Sequence, residues 1–136
     1  MQRILAFDFG LLETGVAFAQ SITGDARGVR TLRCADGQPV WREVKALVAD
    51  YNPQILVVGL PLNMDGSESD MCARARDFAE RLGAKTQLDV CLQDERLTSR
   101  IAAAELEAAR ALGRAKTDHE LAACYIAEDF LAKIVN

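Results

Sequence analysis

Histidine is almost missing from this sequence. The single one, His119, has no Cys or Ser partner that spacing identifies, so no Cys/His zinc site and no histidine-activated nucleophile is in view. It is expected to face solvent beside Asp118. Cysteine is sparse and scattered: Cys34, Cys72, Cys91 and Cys124 form no C-x-x-C pair and lie in apolar-looking segments, which reads as buried free thiols in a reducing cytoplasm. No apolar run approaches the length that spans a membrane. The opening MQRILAFDFG is too short and too acidic for a signal peptide. Repeats, low-complexity tracts and linkers are absent, so residues 1–136 are read as one domain, long enough to bury roughly two-thirds of its unfolded surface. A basic excess is absent as well. Sixteen Lys and Arg stand against 20 Asp and Glu, for a net charge of −4. Taken alone, that argues against a nucleic-acid partner, whose domains usually run basic.

What is present qualifies that exclusion. Twelve of the 16 cations are arginines, grouped as Arg74, Arg76 and Arg81; Arg96 and Arg100; Arg110, Arg114 and Lys116. Arginine suits bidentate phosphate contacts better than lysine does. Solvated helix faces paired with neighbouring acids would explain the same groups.

The first third reads as a strand meander, RILAFDF, TGVAFAQ and GVRTLRC, broken by glycine-bearing turns. DGQPVWREVKALVADY carries a helical stripe at Val40, Trp41, Val44, Leu47, Val48 and Tyr51, with Pro39 suited to its first turn. QILVVG is a continuous apolar run, the mark of a strand covered on both faces, and LPLNMDGSES reads as the loop after it. Ser67-Glu68-Ser69-Asp70 suits a capping box for a helix that ends at Gly83. LDVCLQ is the next strand, DERLTS its following loop. An alanine-rich helix runs to about Gly113, and Thr117-Asp118-His119-Glu120, a T-x-x-E pattern, opens the last helix. The order predicts an α/β fold: a five-stranded mixed sheet flanked by helices on both faces. Ligands gather at the carboxyl ends of strands in such sheets.

Three carboxylates are expected at that edge. Asp8 ends the first strand, Glu95 falls in the loop after LDVCLQ, and Asp118 lies in the first turn of the last helix, where the helix dipole favours an ionised acid. Singly, each has an ordinary explanation: a strand-end turn residue, a solvated loop acid, a dipole-stabilising acid. Together they would repel and raise one another's pKa values unless a cation sat among them. Carboxylate plus water is what Mg²⁺ or Mn²⁺ prefers. Two such ions, roughly 4 Å apart, can activate water and stabilise the leaving oxygen of a phosphodiester. That makes Asp8, Glu95 and Asp118 both the candidate metal ligands and the candidate catalytic residues.

The same residues carry a likeness. LAFDFG followed by TGVA, then VVGLPLNMDGSES, DERLTS and Lys116-Thr117-Asp118 leading to Ala122-Ala123 make the sequence resemble the YqgF/RuvX family over residues 3–131. These are RNase H-like proteins described as Holliday junction resolvase-like and as pre-16S rRNA nucleases. The resemblance implies an RNase H-like fold and a nuclease that needs Mg²⁺ or Mn²⁺, with a two-metal site. It implies a cytoplasmic enzyme of ribosome biogenesis, processing the 5′ end of precursor 16S rRNA on ribosomal precursor particles. Branched DNA is a further possible substrate. No membrane is involved, and the chain is a monomer or homodimer.

The family's acidic site falls on Asp8, Glu95 and Asp118. Its G-L-P-x-N-x-D-G loop falls on residues 59–66, where Asn63 either contacts substrate phosphate or serves the loop's own shape. Arg96 is a phosphate ligand or a brace for Glu95; Arg74 and Lys116 are further candidate phosphate contacts; Thr98 is expected to be an N-cap.

One departure stands out. Where the family usually has Thr and then Lys or Arg after DFG, this chain has Leu11-Leu12-Glu13-Thr14, so a hydroxyl and a cation beside the proposed site are missing. Such a cation would help balance charge in the transition state. Weakened or altered activity is the expectation. Besides the metal-dependent nuclease, two alternatives stay open: a catalytically weakened nucleic-acid- or ribosome-associated binding protein with Leu11-Leu12 as a contact surface, and a Holliday junction resolvase-like DNA nuclease. D-F-G-x-x-x-T-G-V-A also resembles the first phosphate hairpin of actin-like and sugar-kinase folds, but those close two such domains around ATP.

Overall fold

In a computed structural model the described residues are 2–96 and 101–134, Arg96 by its backbone alone. The chain begins with β1 (Arg3–Asp8), β2 (Glu13–Gln20) and β3 (Ala26–Ala35), each antiparallel to the one before it. A two-residue β4 (Gln38–Pro39) follows, then α1 (Trp41–Tyr51), β5 (Ile55–Leu62), α2 (Cys72–Thr86), β6 (Asp89–Arg96), α3 (Ala103–Ala111) and α4 (Asp118–Ile134). The sheet order is β4-β3-β2-β1-β5-β6, with β5 parallel to both β1 and β6.

The α/β class and the mixed sheet agree with the sequence reading; the strand count is six instead of five. The sixth, β4, exists because Asp36 and Gly37, at φ 50° and 82°, reverse the chain so that Gln38 and Pro39 pair back on Ala35 and Cys34. Pro39 therefore ends up in a strand rather than in the first turn of a helix.

Period-two alternation divides the core. On β1, Leu5 and Phe7 join Val16, Leu32, Leu56 and Val58 under α1 and α2, with Val44, Phe78 and Leu82 as the helices' inward residues. Ile4 and Ala6 face the other way with Ala17, Ala19 and Val57, beneath α4 and its Leu121, Cys124, Ile126 and Ala127. The α4 side is floored by small residues, and that lets the helix lie close to the strands. Among the described residues, no helix is long and apolar enough to cross a membrane. The four cysteines are free thiols, Cys72 and Cys124 buried and Cys34 and Cys91 half-buried.

Three boundaries differ from the sequence reading, each for a tertiary reason. β5 and β6 both run longer than their apolar stretches because each continues to offer the other a parallel partner, through Leu60↔Asp94, Pro61↔Glu95 and Leu62↔Arg96. The expected capping box before α2 does not form. Ser69 Oγ donates to the Pro61 carbonyl and Glu68 is taken by Arg76 Nε at 3.1 Å, so Met71 caps the helix without a side-chain bond. Finally, α2 passes through Gly83, which lies against Leu88 and Val90, and stops at Gln87 in the left-handed region (φ 62°).

Candidate active site

Because Gly15 pairs with Asp8 and its α carbon faces α4, strand alternation puts Asp8, Glu13 and Thr31 on the α4 side, at the carboxyl end of β1. The same rule in β5 and β6 sets Gly59, Pro61 and Glu95 on that side. One helix thus runs over Asp8, Glu13 and Glu95 together.

Its first turn is anchored firmly. Thr117 Oγ1 accepts from the Glu120 amide at 3.1 Å, so the predicted N-cap is real. Glu120, however, does not complete the box on Thr117. It is buried, and its two oxygens accept from the Lys116 amide at 3.0 Å and the Thr31 hydroxyl at 3.0 Å. Thr31 and Thr117 are themselves 2.8 Å apart, oxygen to oxygen. The approach this demands is extreme at Gly15: an added Cβ would lie 2.0 Å from the His119 carbonyl oxygen.

That approach decides where His119 goes. Instead of facing solvent it is half-buried, with Nδ1 3.3 Å from Asp8 Oδ2 and Nε2 3.6 Å from Glu13 Oε1. The hydrogen bond to Asp8 raises its pKa above the ordinary 6.5 against the opposing effect of burial, and the charges of Asp8, Glu13 and Asp118 act in the same upward direction.

Glu95 lies within β6 rather than in a loop, opposite Pro61. Burial, a hydrogen bond with Asp129 of α4, and the charges of Asp129, Asp8 and Asp94 push its pKa from 4.5 to about 8. Its Oε1 is buried and, among the described residues, has no hydrogen-bond partner. Two carboxyls in contact share a proton when nothing else neutralises them. An orphaned carboxylate oxygen among acids, beside Asp8, is an all-oxygen environment short of positive charge, and it fits a hard divalent cation. Among the described residues no three His, Cys, Asp or Glu side chains gather into one ligand set. Asp118 is exposed, acting on His119 through its charge. One or two carboxylates completed by water and substrate phosphate is the usual Mg²⁺ arrangement, and Asp8 with Glu95 suits it.

The candidate phosphate contacts divide. Asn63 Nδ2 donates to Ser67 Oγ at 3.1 Å and the Glu68 carbonyl at 3.5 Å, holding the shape of its own loop. Arg74 is paired with Asp36 at 2.9 Å. Lys116 is exposed just before α4. The Arg96 side chain and Thr98 lie outside the described residues. The turn after Asp8 is held by its backbone, with Leu11 and Leu12 carbonyls accepting from Gly37 and Cys34 at 2.8 Å each, while the Leu12 side chain is 77% exposed.

This arrangement can be set beside known proteins. The profile of the RuvX family, described as a Holliday junction resolvase, matches residues 2–133. The chain belongs to the RuvX family. A relative from Glaesserella parasuis, named a pre-16S rRNA nuclease, is 46% identical over 132 residues, covering 95% of each chain. Another from Pseudomonas fluorescens, with the same name, is 50% identical over 99 residues, 73% of this chain and 68% of that one. Among solved structures, Thermus thermophilus RuvC bound to a Holliday junction substrate superposes with a TM-score of 0.63 at 13% identity, covering 99% of this chain and 97% of that one. At that identity the likeness establishes the fold alone: this RuvX-family chain has the RuvC-type, RNase H-like architecture.

Asp129 and the inward setting of His119 and Glu13 were not found by sequence reasoning. Asp129 follows Asp118 by eleven residues, three helical turns on the same flank of α4. That spacing was a visible signal. Which acid meets Glu95 depends on how α4 crosses the sheet, and no local pattern encodes that.

Proposed function

We propose that this chain is a nuclease of precursor 16S rRNA, using Mg²⁺ or Mn²⁺ held by Asp8 and Glu95. The orphaned, proton-hungry carboxyl of Glu95 beside Asp8 is the observation that carries the reading; the names of relatives up to 50% identical supply the substrate. A divalent ion there would supply Lewis-acid activation of water and stabilise charge on the leaving oxygen. The protein's part is positioning. His119 Nδ1–H donates to Asp8 Oδ2 and fixes that carboxylate's rotamer, leaving Oδ1 for other contacts. Asp129 holds Glu95 in place through the hydrogen bond between their carboxyls. Asp118 adds negative potential at the first turn of α4 and is a ligand candidate only for an ion brought in with substrate. Ribosomal precursor particles in the bacterial cytoplasm are the matching setting.

The test is cleavage of a precursor 16S rRNA fragment and of a four-way DNA junction, with Mg²⁺, Mn²⁺ or EDTA. Asp8→Asn is expected to lower the rate at least a hundredfold, removing one ligand of the ion. Full activity in that variant removes Asp8 from the site. A second reading is favoured by exposed Leu12 at the place of a cation: binding with little turnover. Tight RNA binding by wild-type protein without cleavage at any metal concentration would establish it.

A further inference from the structure

The turn after β1 supplies no cation, yet a polyanion must be held over a cluster of acids. Strand register identifies another source. On β3, Arg33 is the cross-strand partner of Glu13, two residues along from the Thr31↔Gly15 pair. Alternation puts Arg33, Thr31, Glu13, Gly15 and Asp8 on one face, the face of α4. Two inter-strand steps, roughly 10 Å, separate β3 from β1. Arg33 lies level with the turn just beyond Asp8, because Glu13 precedes the residue that pairs with Asp8.

Arg33 is also uncommitted. It is exposed, and among the described residues it makes no ion pair and no side-chain hydrogen bond. Its cross-strand partner does not neutralise it, since the Glu13 carboxylate turns to His119 Nε2 at 3.6 Å. Other arginines are held: Arg30 by Glu43, Arg74 by Asp36, Arg76 by Glu68 and Arg114 by Glu128. An exposed, unpaired guanidinium at the rim of an acidic site, on the face that carries the reacting groups, is matched to a phosphate oxygen pair.

We propose that Arg33 is a substrate-binding residue that grips a backbone phosphate of the nucleic acid next to the one at Asp8. It supplies from β3 the cation that Leu11-Leu12-Glu13 does not. The proposal rests on the nuclease reading, in that Asp8 marks the reacting phosphate. The phosphate is recognised by charge and by the forked geometry of the guanidinium, with no reading of bases.

Binding of a fluorescently labelled precursor 16S rRNA fragment, measured by anisotropy in EDTA over a series of salt concentrations, tests this without turnover. Arg33→Ala is expected to bind roughly tenfold more weakly, as for loss of one charge-assisted bidentate contact. Its plot of log affinity against log salt should be shallower by about 0.7 to 0.9, the loss of a single phosphate contact. Arg33→Lys should keep the slope and recover only part of the affinity, because a point charge replaces the fork. Arg42→Ala, an exposed arginine of α1 on the opposite face, is expected to match wild type in both. Arg33→Ala with wild-type affinity and slope overturns the assignment while leaving the nuclease reading intact. A wild-type protein that binds no RNA overturns both.

Discussion

Replacing Glu95 by glutamine is expected to abolish cleavage and yet make the metal-free protein more stable at alkaline pH. The folded-state pKa of Glu95 is about 8 against an ordinary 4.5, so between those values the native state holds a proton that the unfolded chain has released. The unfolded state therefore binds fewer protons there, and stability falls as pH rises. At about 1.4 kcal/mol per pH unit this difference sets a ceiling near 5 kcal/mol. The group is only part-buried and its partner Asp129 is exposed, so solvent screening reduces the effect to about 1–2 kcal/mol. For a chain of this length that is about 3–6 °C in Tm. Glu95→Gln resembles the protonated side chain at every pH and escapes the loss. Thermal unfolding followed by circular dichroism from pH 5 to 8 in EDTA should show wild type and variant together at the acid end, with the variant several degrees higher at the alkaline end. His119, whose pKa is also raised, adds stability below 6.5 that fades as pH passes its folded value, and it does so in both proteins. Only the difference between the curves reports on Glu95. Adding Mg²⁺ should raise the wild-type Tm at pH 8 and leave the variant nearly unchanged. Parallel curves from pH 5 to 8, with equal responses to Mg²⁺, would refute the reasoning.

Two further predictions follow from the contacts of α4 and from the odd turn. Gly15→Ala puts a methyl carbon 2.0 Å from the His119 carbonyl, so α4 must lift off β2; a loss of about 2–4 kcal/mol is expected in urea unfolding, together with loss of the His119–Asp8 contact by NMR. Leu12→Lys, at a side chain already 77% exposed, should cost less than about 0.5 kcal/mol in stability and steepen the salt dependence of RNA binding by about 0.7 to 0.9, one added phosphate contact. An unchanged slope would show that the turn does not face the substrate.

The fold was legible where burial itself wrote the pattern. Alternating Ile4-Leu5-Ala6-Phe7, the stripe Val44, Leu47 and Val48, and the turn glycines carried the element order and the layered sheet, because each core face demands a period of two or 3.6. Legibility failed at element ends. β5 and β6 outrun their apolar stretches because each finds the other as partner, and Glu95 was assigned to a loop for want of that partner.

The site was legible only as a set of types. Asp8 could be placed by its strand, but the neighbours of Asp8 and Glu95 are set by the angle and closeness of α4, which are tertiary quantities. Gly15 looks in sequence like any residue near the start of TGVAFAQ, although its lasting contribution is the room it gives to the His119 backbone. His119 was set outside the site for the same reason. A helix resting at ordinary distance would leave it in water, whereas one resting on glycine presses it onto Asp8. The departure at Leu11-Leu12-Glu13 then takes on a different meaning. Glu13 does not simply add negative charge near a substrate; its carboxylate turns toward the ring that positions Asp8 and thereby leaves Arg33 unneutralised one strand away. Leu12 removes a cation from the turn, and Glu13 beside it, by turning to His119, leaves one free on the adjoining strand.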